Sequence, residues 1–142
     1  MPTKVTHHAL CLLLLAAGLL TGCGGEDPAP RPNIVVYLVD TLRQDHLGLY
    51  GYERDTSPSI DALAEDSIVF KQAYATSAWT KASTGSLLTG LHPRQHGATS
   101  RSSPLSPQAK LLSEYLGPIG YYCAGIVTNP FVVEHWGFNR GY

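Results

Sequence analysis

An aspartate at the end of an apolar run is the first candidate for chemistry in this chain of 142 residues. Residues 34–39 are continuously apolar and rich in β-branched side chains, and the run stops at Asp40. Ligands gather at the carboxyl ends of parallel strands, so Asp40 is placed to bind a metal ion or a polar ligand. Asp45 and His46 follow closely and could supply further donors. Two alternatives stay open: Asp40 caps the next turn, and Asp45 and His46 are solvated loop residues.

The second candidate is the hydroxyl-rich segment 77–84, which carries Ser77, Thr80, Ser83 and Thr84. If a helix begins here, its free N–H groups and its dipole attract an anion, and a hydroxyl at its first position could attack phosphorus or sulfur. Such alcohols are poor nucleophiles at neutral pH, so a divalent cation would have to promote the alkoxide. The alternative interpretation is that these hydroxyls cap the helix.

Apolar patterning predicts the elements that position these side chains. Residues 34–39, 68–74 and 121–127 have strand character. Helices are predicted over about ten residues from Ser57-Pro58, from Thr80 to Leu88 with Gly90 as its cap, and from Ser106-Pro107 up to Gly117-Pro118. This order of strands and helices is typical of βαβ units. The sequence therefore predicts an α/β fold with a mostly parallel sheet flanked by helices, and with three candidate strands that sheet is incomplete.

Composition restricts the class of protein. The chain has 10 Lys+Arg against 11 Asp+Glu, with 44% hydrophobic and 15% charged residues. This profile is that of a globular protein, and it excludes a collagen, a coiled coil or a basic nucleic-acid tail. The 14 Gly and 10 Pro suit a loop-rich α/β architecture.

The first residues predict export. Residues 9–20 form an apolar run too short to cross a hydrocarbon core of about 30 Å, which is typical of a signal peptide. The run closes on Leu20-Thr21-Gly22-Cys23, which resembles the lipobox of bacterial lipoproteins and implies lipidation of Cys23. We therefore expect a signal peptide (1–22), a Pro- and Gly-rich tether (23–32) and a domain (33–142), anchored to a membrane and facing the periplasm or the cell surface. A conventional signal peptide with a chance cysteine is the alternative.

The three cysteines leave no structural disulfide in this arrangement. Cys11 leaves with the signal peptide, Cys23 carries lipid, and Cys123 has no partner. Cys123 lies in an apolar run, so a buried, inert thiol is favoured over a nucleophile, which needs an electropositive and partly exposed site.

Four motifs occur in a characteristic order. They are RPNIVVYLVD at 31–40, GLYG at 48–51, TSPSID at 56–61 and LLTGLHPRQHG at 87–97. In order and spacing they resemble the N-terminal part of the sulfatase family, within the alkaline-phosphatase-like superfamily. The resemblance extends through NP at 129–130 to GFNRGY at 137–142, and it places His96 in a family turn rather than in a ligand set. It implies the α/β fold of that superfamily, with 33–142 as a truncated N-terminal domain.

Position by position, the resemblance implies that Asp40 is a metal ligand and that Thr80 stands where sulfatases carry the Cys or Ser converted to formylglycine. Thr41 occupies the place of a second aspartate, and Thr84 replaces the arginine of the family signature. Threonine is not oxidised to formylglycine in that family, so Thr80 is expected to bind the metal and attack directly. Lys81 would neutralise developing charge, the alternative being an exposed lysine.

The resemblance implies a hydrolase of sulfate or phosphate esters that depends on a divalent metal ion (Ca, Mg, Mn or Zn). The alternatives are a phosphoesterase or phosphotransferase with a threonine nucleophile, and a non-catalytic, truncated lipoprotein remnant. The family completes its metal site from later in the domain, so we expect the 142-residue chain alone to be inactive and poorly stable. The expected partners are the ester substrate and the membrane that holds the lipid anchor, and not nucleic acid.

Overall fold

The computed structural model describes residues 30–142. The chain divides into two units, Met1–Tyr37 and Leu38–Tyr142, and residues 30–37 of the first contain neither helix nor strand. The α-helices of the described residues are α1 (Pro58–Glu65), α2 (Thr80–Thr89), α3 (Pro93–His96) and α4 (Leu112–Leu116). Short 3-10 helices lie at Gln44–His46, Gly48–Tyr50, Gly117–Ile119 and Glu134–Trp136. All helices of the described residues therefore belong to the second unit.

Helix α1 begins where the sequence predicts, directly after Ser57. The hydroxyl of Ser57 donates a hydrogen bond to Asp61 Oδ2 at 2.9 Å. The backbone N–H groups of Gly48 and Leu49 in turn donate to Ser57 Oγ at 3.0 Å and to Asp61 Oδ1 at 2.8 Å, respectively. These bonds fasten the first turn of α1 to the preceding 3-10 turn.

Helix α2 confirms the predicted helix of small and hydroxyl-bearing residues. It begins at Thr80, and its cap Gly90 adopts a left-handed φ of 70°, which glycine adopts without strain. Gly85 lies against His96 of α3, where an added Cβ would come within 2.9 Å of His96 Cε1. The small side chains of α2 therefore allow α3 to approach closely, and the segment predicted as a turn around His96 is a one-turn helix.

Helix α4 begins later than predicted. The helix expected from Ser106-Pro107 was wrong in its start, because α4 begins at Leu112. The guanidinium group of Arg140 donates to the carbonyl oxygens of Pro107 at 3.0 Å and Ala109 at 2.7 Å. Those carbonyls bind a side chain from a distant part of the sequence, so the segment before α4 is held as a loop.

The core of the second unit is formed mainly by side chains from the segment between α3 and α4 and from residues 132–138. Its buried members are Ala98, Leu105, Leu111, Val132 and Phe138, with Leu88 and Trp136 packed against them. These residues come from residue 88 of α2, from residues 98–111 and from residues 132–138, and their burial holds the segments together because it removes apolar surface from water. The core therefore fixes the 129–138 segment relative to α2.

None of the three predicted strands is present among residues 30–142, so the predicted parallel sheet is not confirmed there. Val35, Phe70 and Ile126, one from each segment, are 87%, 69% and 100% exposed. A strand needs a neighbouring strand for its hydrogen-bond ladder and cover for its apolar face, and the described residues supply neither to these segments.

Several predictions fall on residues outside the described range. The signal peptide 1–22, Cys11, the lipidation site Cys23 and most of the tether 23–32 are among residues 1–29, which the structure does not describe. Within residues 30–142, no helix has the length and apolar character needed to span a bilayer.

Candidate active site

The structure brings Asp40 and Thr80 together although they are 40 residues apart. The hydroxyl of Thr80 donates to the carboxylate of Asp40, with Oγ1 at 2.9 Å from Oδ2 and 3.2 Å from Oδ1. Asp40 is exposed and Thr80 is half-buried, so solvent and solutes reach the carboxylate. The two side chains with the strongest expected roles therefore share one location, while the roles themselves stay predictions.

Local backbone geometry presents both side chains. Thr80 is the first residue of α2, so the free N–H groups of the helix start lie around it. Thr41, directly after Asp40, has a positive φ of 56°. This is uncommon for a β-branched residue and stores strain. The chain therefore turns sharply just after the Asp40 carboxylate.

Asn129 is a third member of this cluster, although the sequence marks it only as the first residue of the NP motif at 129–130. Its Nδ2 donates to Asp40 Oδ2 at 3.0 Å across 89 residues. Its Oδ1 accepts the backbone N–H of Phe131 at 2.9 Å, and this bond settles which side of the amide faces Asp40. A signal was available: Asn129 follows the apolar run 121–127 much as Asp40 follows 34–39.

Lys81 is buried, so the alternative of an exposed lysine is wrong. Its Nζ donates to the carbonyl oxygen of Arg101 at 2.9 Å. The same Nζ lies 3.5 Å from the ring centroid of Trp136 and 5.2 Å from that of Trp79. Burial lowers the pKa of the Lys81 amine. The partners recorded for this amine are thus a carbonyl group and two indole rings.

Asp45 and His46 form a separate local group. The guanidinium of Arg43 donates to both oxygens of Asp45, with Nε at 2.9 Å from Oδ1. His46 Nδ1 lies 3.2 Å from Asp45 Oδ1, and the His46 ring stacks on Tyr52. The hydrogen bonds from Arg43 and then His46 hold the pKa of Asp45 well below its usual range. These residues are exposed, and the hydrogen bonds recorded for Asp45 do not join it to Asp40.

His96 and Cys123 occupy structural positions. His96 is fully buried beneath α2, where its Nε2 lies 3.1 Å from both Ala82 O and Ser86 Oγ. Its Nδ1 accepts the N–H of Ala98 at 3.2 Å. Cys123 is half-buried, and its Sγ donates to Ser113 O at 3.9 Å. Neither side chain is directed to the Asp40 cluster by these contacts.

The cluster offers the kind of donor atoms that a divalent cation prefers, but too few of them to hold one. Asp40 and Thr80 offer the oxygen atoms that Ca²⁺ and Mg²⁺ prefer, whereas Asn129 presents its N–H group to Asp40. Within the described range 30–142, no group of three or more His, Cys, Asp and Glu side chains could hold a metal ion. Mg²⁺ needs about six oxygen ligands, so these residues would supply part of its shell.

Comparison with known proteins tests the resemblance. A sequence profile of the Sulfatase family matches residues 32–140, which is well over half of the chain. The chain belongs to the sulfatase family. Membership of this family of hydrolases implies the alkaline-phosphatase-like α/β fold, as the motifs of the sequence predict.

Individual relatives agree with the profile. The chain is 28% identical to the N-acetylglucosamine-6-O-sulfatase of Bacteroides thetaiotaomicron, over 96% of this chain and 26% of the relative. It is 37% identical to human arylsulfatase A over 91% of this chain and 27% of the relative. It is 32% identical to the ulvan-active sulfatase of Formosa agariphila over 64% of this chain and 18% of the relative. The chain thus spans about a quarter or less of these relatives. No solved structure matches it.

Proposed function

We propose that this protein is a hydrolase of sulfate or phosphate esters in which Thr80 is the nucleophile and Asp40 a metal ligand. The observation that carries the proposal is the hydrogen bond of 2.9 Å from Thr80 Oγ1 to Asp40 Oδ2. This bond brings an alcohol, a carboxylate and the start of the ten-residue helix α2 together at a solvent-accessible location. An anionic ester group is attracted by the free N–H groups of such a helix start.

The reaction proceeds by direct displacement. Thr80 Oγ1 forms a bond to the sulfur or phosphorus of the substrate as the bond to the leaving oxygen breaks. The hydroxyl proton of Thr80 passes to water, and the leaving oxygen takes up a proton from water and departs as the alcohol. Water then attacks the threonine ester, which returns the free hydroxyl and inorganic sulfate or phosphate. A divalent cation held in part by Asp40 and Thr80 would lower the pKa of the alcohol and offset charge on the transferring group.

Threonine at position 80 favours direct attack over the aldehyde chemistry of sulfatases, because threonine is not the formylglycine precursor in that family. A phosphoesterase or phosphotransferase would use the same direct attack by Thr80, so this alternative differs from the proposed function only in the ester or acceptor. In this proposal the ammonium group of Lys81 contributes positive charge. Its Nζ is bound to Arg101 O, and this bond also holds the first turn of α2 in position.

The test is turnover of an aryl sulfate and an aryl phosphate by the purified full-length protein with Mg²⁺, Ca²⁺, Mn²⁺ or Zn²⁺. Turnover is expected to need a cation and to be abolished in Thr80→Ala, while the exposed control Thr99→Ala retains it. The preferred ester decides between sulfatase and phosphoesterase. Unchanged turnover in Thr80→Ala would remove Thr80 from the mechanism.

A non-catalytic lipoprotein is the competing function, and the small number of oxygen donors around Asp40 favours it. It predicts neither turnover nor any rise in melting temperature when a divalent cation is added. A ligand that binds the folded state alone raises the melting temperature, so a rise that is lost in Asp40→Asn argues against this alternative. Asp66→Asn is the matched control, because Asp66 is also exposed.

The proposed location is a membrane surface that faces the periplasm or the cell exterior, with the chain anchored through lipid on Cys23. The support is the apolar run 9–20 followed by Leu20-Thr21-Gly22-Cys23. Metabolic labelling with a fatty acid is expected to mark the wild-type protein and Cys11→Ser, and to leave Cys23→Ser unlabelled. Equal labelling of the wild type and Cys23→Ser would overturn the anchor.

A further inference from the structure

The carboxylate of Asp40 has two oxygens in unequal surroundings. Oδ2 accepts hydrogen bonds from Thr80 at 2.9 Å and from Asn129 at 3.0 Å, whereas among residues 30–142 the contact recorded for Oδ1 is the longer one from Thr80 at 3.2 Å. A carboxylate oxygen has two lone pairs for acceptance. The capacity of Oδ2 is thus filled by protein donors, and Oδ1 keeps a lone pair for another ligand.

Asn129 is itself held firmly enough to orient a neighbour. Its Oδ1 accepts the N–H of Phe131 at 2.9 Å, and its backbone carbonyl accepts the N–H of the buried Val132 at 3.1 Å. The ring of Phe131 meets the ring of Trp79 edge-on at 5.7 Å, and Trp79 directly precedes Thr80. The turn that presents the amide is therefore joined both to the core and to the start of α2.

From this geometry we infer that Asn129 is a positioning residue, which holds the Asp40 carboxylate beside Thr80 without help from a cation. A neutral amide donor stabilises a single carboxylate, whereas a second carboxylate at the same distance would repel it unless a cation lay between them. The amide thus leaves Oδ1 free to face a cation or a substrate. The catalytic meaning of this role rests on the proposed function, while the pairing itself does not.

Asn129→Asp separates positioning from the structure of the turn. The new Oδ1 still accepts the N–H of Phe131, but the new Oδ2 lies where the amide donor faced Asp40. In EDTA we expect the melting temperature to fall by about 4 °C relative to the wild type. Mn²⁺ should restore it and bind about tenfold more tightly than to the wild type, because two carboxylates now face one cation. The control is Asn139→Asp, which makes the same change at an exposed asparagine.

Exchanging the two groups gives an independent test. In the double variant Asp40→Asn, Asn129→Asp, a carboxylate and an amide face each other again with their positions reversed. Its melting temperature in EDTA is expected to return to within about 1 °C of the wild type, which a turn-only role for Asn129 does not predict. If Asn129→Asp matches Asn139→Asp, if Mn²⁺ restores nothing, or if the exchange brings no recovery, the positioning role is overturned.

The same variants distinguish this inference from the proposed function. Recovery of the melting temperature in the double variant, with no ester turnover by the wild type, would support the pairing and refute the reaction. Ester turnover that depends on Thr80, with no recovery in the double variant, would support the reaction and refute the role of Asn129.

Discussion

The first turn and the middle of helix α2 differ in how they are held. At the first turn, Thr80 belongs to a solvent-accessible cluster of polar side chains with Asp40 and Asn129. Further along, Gly85 and Ser86 are buried against His96, where no space is left for a methyl group. Exposed polar contacts contribute little to stability and buried packing contributes much. The same helix therefore separates the residues of the proposed chemistry from those that keep the fold.

The largest effect on stability is expected at the buried contact. Gly85→Ala places a Cβ within 2.9 Å of His96 Cε1, and overpacking of this kind should lower the free energy of unfolding by about 3 kcal/mol. Urea denaturation measures the loss. The control is Gly117→Ala, because Gly117 has a helical φ of −53° and nothing within 4 Å of an added Cβ. Equal effects of the two substitutions would contradict close packing between α2 and α3.

Lys81→Ala is expected to have the next largest effect. It removes the hydrogen bond to Arg101 O and the contact of the ammonium with Trp136, at a cost of about 2 kcal/mol. Lys81→Met keeps much of the apolar volume and should lose less. Thermal denaturation beside Lys71→Ala, an exposed lysine, makes the comparison. If Lys81→Ala lowers the free energy of unfolding no more than Lys71→Ala does, Lys81 does not stabilise α2.

Acidic pH should lower the stability of the protein through protonation of His96, which packs against the middle of α2. Burial lowers the pKa of His96 from its ordinary value of 6.5, so the unfolded chain takes up a proton at a higher pH than the folded protein. The stability that His96 contributes is complete above pH 6.5 and is lost as the pH falls through the folded-state pKa. The slope for one proton is at most about 1.4 kcal/mol per pH unit.

Denaturation curves measured between neutral and acidic pH check this slope. His96→Gln should flatten it, and His135→Gln, a change at an exposed histidine, should leave it in place. The same slope in His96→Gln as in the wild type would assign the acid sensitivity to another group.

The smallest effect on stability is expected at Asp40, the exposed partner of Thr80. Asp40→Asn should change the free energy of unfolding by less than about 1 kcal/mol, because Asp40 is exposed, yet it should abolish metal-dependent turnover. Melting temperature and turnover are measured on the same preparation, beside Asp66→Asn. Unfolding of Asp40→Asn at ordinary temperature would show that this cluster supports the fold after all.

Local signals in the sequence predicted the parts of the fold that depend on local bonds. Pro58 marked the start of α1, and Gly90 marked the end of α2, because a proline at the first helical position and a glycine at the cap act within a few residues. The start of α4 depends on carbonyl groups held by Arg140, about thirty residues away. The predicted strands depend on pairing partners, which their own residues do not specify.

The candidate site shows the same difference between local signals and long-range contacts. Asp40 and Thr80 were found through motif spacing, whereas the partner of Asn129 and the burial of Lys81 follow from contacts across the fold. An asparagine beside a proline is typical of a turn in any protein, so the position of Asn129 after the apolar run 121–127 was its one signal, and that position does not specify the partner of its amide.

The central claim is that Thr80 itself attacks the substrate, and trapping the covalent ester tests it most directly. The purified full-length protein is mixed with an aryl sulfate or aryl phosphate and a divalent cation, quenched in acid, and digested for mass spectrometry. We predict that the peptide containing Thr80 gains the mass of one sulfuryl or phosphoryl group, with Thr80 as the modified residue. A group found on another residue, or turnover that continues in Thr80→Ala, would contradict the account.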